Sequence, residues 1–153
     1  MSVAPYPYPA AALRQFLRGQ PEVLELVPEE SITTGALPEL ITGPFLLIAV
    51  VGNVGEDPLL RRPMVQVTPW VPKSEVLQAA DPAMRISPDE LAWNIGTIVG
   101  QLVGRARNIS WRGAAWSARW VDGPVMLFDD KRSVDNRLVY APVRFECKQR
   151  APR

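Results

Sequence analysis

The chain has 153 residues, 47% hydrophobic and 22% charged, with 17 basic against 16 acidic side chains. That length fits one folded unit with one core, the composition excludes a disordered chain, and a net charge of +1 argues against a dedicated nucleic-acid binder. Histidine is absent and Cys147 is the single cysteine, which removes the commonest general base, an intrachain disulfide and a cysteine zinc site.

Residues 1–9 read MSVAPYPYP. Three prolines forbid a helix and leave an extended arm. The arm is either unstructured or laid on a neighbouring subunit through Tyr6 and Tyr8. Residues 10–18 predict a helix with an apolar stripe at Ala12, Leu13, Phe16 and Leu17, stopped by Gly19. A short turn over 22–27 and a short strand over 31–34 follow.

Residues 45–51 form a continuous apolar run, the mark of a central strand covered on both faces. This run, the longest in the chain, is far short of the ~20 residues that span a bilayer. With no basic-then-apolar leader at the start, the expectation is a soluble protein of a reducing cytoplasm. A loop over 52–62 leads to a strand over 64–71, in which Val65 and Val67 oppose Gln66 and Thr68, and Pro69 marks a bend or an edge. Residues 72–86 read as loop.

Residues 87–107 predict the main helix. Ser87-Pro88-Asp89-Glu90 is a capping box, with Ser87 expected to accept from the Glu90 amide. Leu91, Ile95, Ile98, Val99, Leu102 and Val103 make its apolar face. Ala92, Gly96, Gly100 and Gly104 recur every fourth residue, which calls for close approach of a backbone from the sheet or from another subunit. Residues 114–121 alternate, with Trp116, Ala118 and Trp120 on one face. Residues 125–128 continue that strand after a bulge or begin a second hairpin. A charged loop over 129–137 precedes a last strand over 138–148, where Pro142 marks an edge or bulge and Cys147 a core position. The fold class is α+β: an antiparallel or mixed sheet of four to five strands packed with one long and one short helix. Residues 1–9 are the arm, 10–148 one domain and 149–153 a flexible tail.

No phosphate-binding loop, dinucleotide fingerprint, nucleophile elbow or zinc-protease motif is present. Asp129, Asp130 and Asp135 lack calcium-loop spacing, and Lys131, Arg132 and Arg137 among them would repel a cation. No catalytic, cofactor or metal residues are assigned. Among five tryptophans, Trp93 lies about 100° or more from the centre of the helix's apolar face and is the best interface anchor.

The segment ITTGALPELITGPFLLIAVVG at 32–52, RRPMVQVTPWV at 61–71, one long helix, GPVMLFDD at 123–130 and the strand RLVYAPVRFECK at 137–148 together resemble the tail terminator, or tail completion, proteins of long-tailed phages, especially those of actinobacteria. The likeness runs from about residue 10 to 148. It implies a virion structural protein at the tail-neck junction, assembled in the host cytoplasm. Six copies would form a ring that caps the tail tube, stops tube growth and presents a surface to the head connector or stopper. DNA would pass through the lumen without sequence readout, along neutral or weakly charged walls. Ring contacts are heterologous, and mixed charges can fix their register. Glu56, Asp57, Arg61 and Arg62 in one loop, and Asp129, Asp130, Lys131, Arg132, Asp135 and Arg137 in another, are the expected subunit or tube contacts, beside Tyr6, Tyr8 and Trp93. The alternatives are another neck component, such as a head-closure protein, and a dimeric small-ligand-binding domain.

Overall fold

The main helix, α4, covers Pro88–Gly104 and buries Leu91, Ala92, Ile95, Gly96, Val99, Gly100 and Val103. The buried stripe runs at the 3.6-residue period, so one face of the helix meets the sheet. Its start departs from the expected box. Ser87 makes no side-chain bond to the first-turn amides; its hydroxyl instead bonds Asp89, whose carboxyl is held below the usual range chiefly for that reason. The helix also ends at Gly104. Beyond it the Arg107 guanidinium donates to the carbonyls of Gly104, Ala106 and Ala118.

The computed structural model describes residues 3–56, 58–130 and 137–151. Before α4 come α1 (Pro9–Arg18), α2 (Pro21–Leu24), a 3-10 turn (Glu29–Ser31), strands β1 (Ile32–Thr33), β2 (Phe45–Val54) and β3 (Leu60–Pro72), and α3 (Ser74–Ala80). After it come β4 (Ile109–Trp111), β5 (Ala114–Asp122), β6 (Leu127–Asp129), β7 (Leu138–Tyr140) and β8 (Val143–Arg150). The α+β class holds, but the sheet has eight strands rather than four or five, and four helices flank it. It is mixed, because β1 runs parallel to β2 while the other pairs are antiparallel.

The strand order is β1-β2-β3-β8-β5-β4, with β7 beside β3 and β6 beside β7. Residue numbers paired between β3 and β7 and between β3 and β8 keep one register, as in Val71 with Val139 and Val65 with Phe145. β7 and β8 are therefore one line interrupted at Ala141 and Pro142, and β5 and β6 are the neighbouring line interrupted around a cis Gly123–Pro124 bond. The bulged continuation is thus the correct choice for residues 125–128.

That interruption decides between the alternatives each proline left open, a bend or an edge at Pro69 and an edge or a bulge at Pro142. Pro69 and Pro142 do not lie on edges, since β3 and β8 each have a strand on both sides. The ladder breaks where they sit. The Pro69 carbonyl accepts from the Ala141 amide, and the Pro142 carbonyl from the Val125 amide. A missing donor costs least where no ladder bond is due. The 72–86 segment, expected as loop, contains α3, whose Leu77 is buried. The tail is not loose at its start: β8 runs to Arg150, and the Gln149 amide donates to the Pro7 carbonyl.

The core lies between the helices and one face of the sheet. Val65, Val67, Val143, Phe145, Cys147 and Ala118 meet Leu13, Leu17, Leu91, Ile95 and Val99 in one cluster. The Phe16 ring packs edge-on against Trp116 at 5.4 Å. A second face of the same strands points to solvent.

Candidate functional site

The glycine ridge of α4 has its partner inside the chain. A Cβ on Gly96 would lie 2.9 Å from Pro124, and a Cβ on Gly100 would lie 2.6 Å from the Trp120 ring. Gly104 faces the Trp120 Cβ. Glycine lets the helix come down on the β5–β6 joint, where a larger residue would require the Trp120 or Pro124 side chain to shift. Trp120 shares the strand face of Trp116 as the alternation predicts, but Trp116 is buried while Trp120 is 37% exposed. Its indole nitrogen donates to the Gly123 carbonyl.

This packing leaves an apolar rim. Trp93 is 49% exposed, and by helical geometry it lies on the Gly100 side of α4 two turns earlier. Val125, Leu127 and Phe128 are exposed along the adjoining segment, with Phe128 at 52%. β6 pairs with β7 on one side and, among the described residues, has no strand on the other. β5 is different: β4 and the Arg107 guanidinium occupy its edge. An open strand edge with aromatic side chains beside it is a surface that recruits another chain. An open groove of about 360 Å³ lies next to it, lined by Lys73, Glu75, Pro88, Asp89, Phe128 and Arg137.

The predicted contact residues do not come together. Glu56 in the β2–β3 turn, with Arg61 and Arg62 at the start of β3, and the loop starting at Asp129 lie at opposite ends of the 13-residue strand β3, roughly 40 Å apart at ~3.3 Å per residue. Arg61 is occupied within its hairpin, donating to Asn53 and to the Gly55 carbonyl. Arg62 lies in a cleft with Arg107, Arg119 and Lys148. Arg137 pairs with Asp130 at 3.1 Å and rests over the Phe128 ring, while Asp129 closes β6. Asp57, Lys131, Arg132 and Asp135 lie outside the described residues.

The arm folds on its own chain. Tyr6 donates its hydroxyl to the Pro58 carbonyl, and the Tyr8 carbonyl starts α1 by accepting from the Ala12 amide. Of the expected anchors, only Trp93 stands on the open apolar rim. Phe128 and Val125 were missed. Their signal is four consecutive apolar residues, 125–128, which no alternating strand can bury on one face.

Chemistry is sparse here. Among the described residues, no three His, Cys, Asp or Glu side chains gather as a metal site, and no helix is long and apolar enough to cross a membrane. Burial, with the neighbouring Glu146 charge, pushes the Cys147 thiol up to about 12. The thiolate is the reactive species. In the folded protein at pH 8, Cys147 is therefore expected to resist a thiol reagent for hours and to react fully within minutes in denaturant, as read by mass shift. Fast labelling of the native chain contradicts the core position.

No protein-family model matches this chain, and no curated protein matches it.

Proposed function

We propose that the chain is a virion structural protein: a ring-forming tail terminator of a long-tailed phage, which caps the tail tube, stops its polymerisation and offers a docking surface to the head connector. The observation that supports this most is the open β6 edge with Trp93, Val125 and Phe128 exposed beside it. A second open stretch lies on the far side of the sheet. β1 pairs β2 only at Leu46 and Leu47, so beyond them β2 has no outer strand among the described residues, and Val51 and Val54 are exposed there. Two unlike open edges on opposite sides of a subunit suit heterologous, head-to-tail contacts, which close into rings.

Deletion of the gene in its source phage tests the reading. Tails of uncontrolled length are expected, seen by electron microscopy. Tails of normal length left unjoined to heads assign the chain to another neck component instead. Normal joined virions reject a role in the neck.

A further inference from the structure

The near-zero net charge conceals a segregation of charge. Alternation along the strands sends Val65, Ala118, Phe145 and Cys147 into the core, and Arg119, Arg144, Lys148 and Arg150 to the opposite face, where they are exposed. The register sets Ser117 beside Lys148 and Arg119 beside Glu146. Two clefts of about 260 and 290 Å³ open on this face. The first is lined by Arg62, Arg107, Arg119, Glu146 and Lys148, the second by Asn108, Lys148 and Arg150, and both include Ser117 and Lys148. They form one continuous surface.

Two carboxylates offset part of this charge. Glu146 is 3.4 Å from Arg119, and Asp122 is 4.0 Å from Arg144. Arg62, Lys148 and Arg150 have no carboxylate partner among the described residues. The balancing acids sit elsewhere: Glu22, Glu25, Glu29 and Glu30 lie exposed on α2 and the turn after it.

We infer that this outer sheet face binds the phosphate backbone of double-stranded DNA without reading its sequence. Side chains two residues apart on one strand, such as Lys148 and Arg150, project ~6.8 Å apart, a cation spacing of the same order as the charge spacing of a duplex, which carries one phosphate per ~3.4 Å of helix axis on each strand. No aromatic ring lines either cleft, so base stacking on single strands is not offered. The cations are carried on the strands of a sheet face and not on a helix or a two-stranded ribbon of the kind that enters the major groove, so contact with phosphates and not with base edges is expected. The face is cationic, unlike the neutral wall expected from the resemblance. The inference goes beyond the terminator reading and stands or falls without it, because a dilute unassembled chain presents the same face.

The test is fluorescence anisotropy of the full chain with two random 30-base-pair duplexes of different sequence, alongside sedimentation of the protein alone. With three phosphate contacts, affinity is expected to fall roughly 40-fold between about 50 and 200 mM salt, equally for both duplexes. Lys148→Gln with Arg150→Gln is expected to cut that fall to about 3–4-fold, with an unchanged melting midpoint. Arg85→Gln, a cation in the segment before α4, leaves the salt dependence as it was. Absence of wild-type binding at 50 mM salt overturns the inference, as does an unchanged slope in the double variant. So does a double variant that binds DNA normally but loses self-association, which assigns the face to the acidic end of a second copy.

Discussion

Gly123→Ala is expected to lower the free energy of unfolding by about 3 kcal/mol. Gly123 holds φ +87, a conformation that costs an L side chain roughly 1–2 kcal/mol. The new Cβ would also lie 2.3 Å from the Pro142 carbonyl oxygen and 2.9 Å from the Val143 Cα. These are backbone atoms at the β7–β8 interruption, so no rotamer change relieves the overlap, and overpacking adds roughly 1–3 kcal/mol. Urea unfolding reads the loss as a lower midpoint at constant slope. Gly35→Ala and Gly43→Ala serve as controls: their Cβ atoms meet nothing within 4 Å, and both should stay within about 0.5 kcal/mol of the parent. A Gly123→Ala midpoint equal to those controls rejects the close approach. At Gly100 the clash is with the Trp120 ring, a side chain already one-third exposed, which can move aside. The penalty there should be smaller.

That contrast shows what a single sequence can carry. The main helix was legible because its apolar period and its Ser-Pro-Asp-Glu start agree. The alternation of β5 and β8 was legible because one face of each is buried, with Trp116, Ala118, Phe145 and Cys147 inside. The glycine ridge announced a close neighbour but could not name it, since Trp120 and Pro124 lie 16 to 28 residues beyond the glycines they meet and reach them only through the sheet. Pro69 and Pro142 left an edge and a bend or bulge equally open, because the rule sees one strand at a time. In the fold the two lines break together, and the prolines sit at the break. β1 is two residues long and falls within the short strand expected over 31–34, whereas α3 hides between Pro72 and Pro82. The charge count was correct and uninformative, because a sum over the chain erases which face each charge occupies.

The site itself was legible only in part. Trp93 stood out because it lies off the apolar face of its own helix. Phe128 did not, because four apolar residues in a row look like core until the strand is found to have one neighbour and two exposed faces. The charged loops drew attention because mixed charges suit register, yet Arg61 and the Asp130–Arg137 pair are engaged within the chain. Exposed ion pairs of that kind contribute little on their own.

Trp93→Ala combined with Phe128→Ser is expected to weaken self-association roughly 30-fold or more, the effect of losing at least 2 kcal/mol at an aromatic hot spot. Both side chains are about half exposed, so the folded monomer loses little packing and its thermal midpoint should move by only about 2 °C. Sedimentation velocity over a concentration series separates the two effects. Where the isolated wild-type chain stays monomeric, retention on purified tail tubes replaces self-association as the measure. Leu40→Ser is the control, because Leu40 is 68% exposed and apolar but lies in the loop before β2. If mere surface hydrophobicity drives association, this variant falls as far as the double one. If the open β6 edge is the contact, it does not, because an interface draws on aromatics seated beside a free strand and not on exposed apolar area as such.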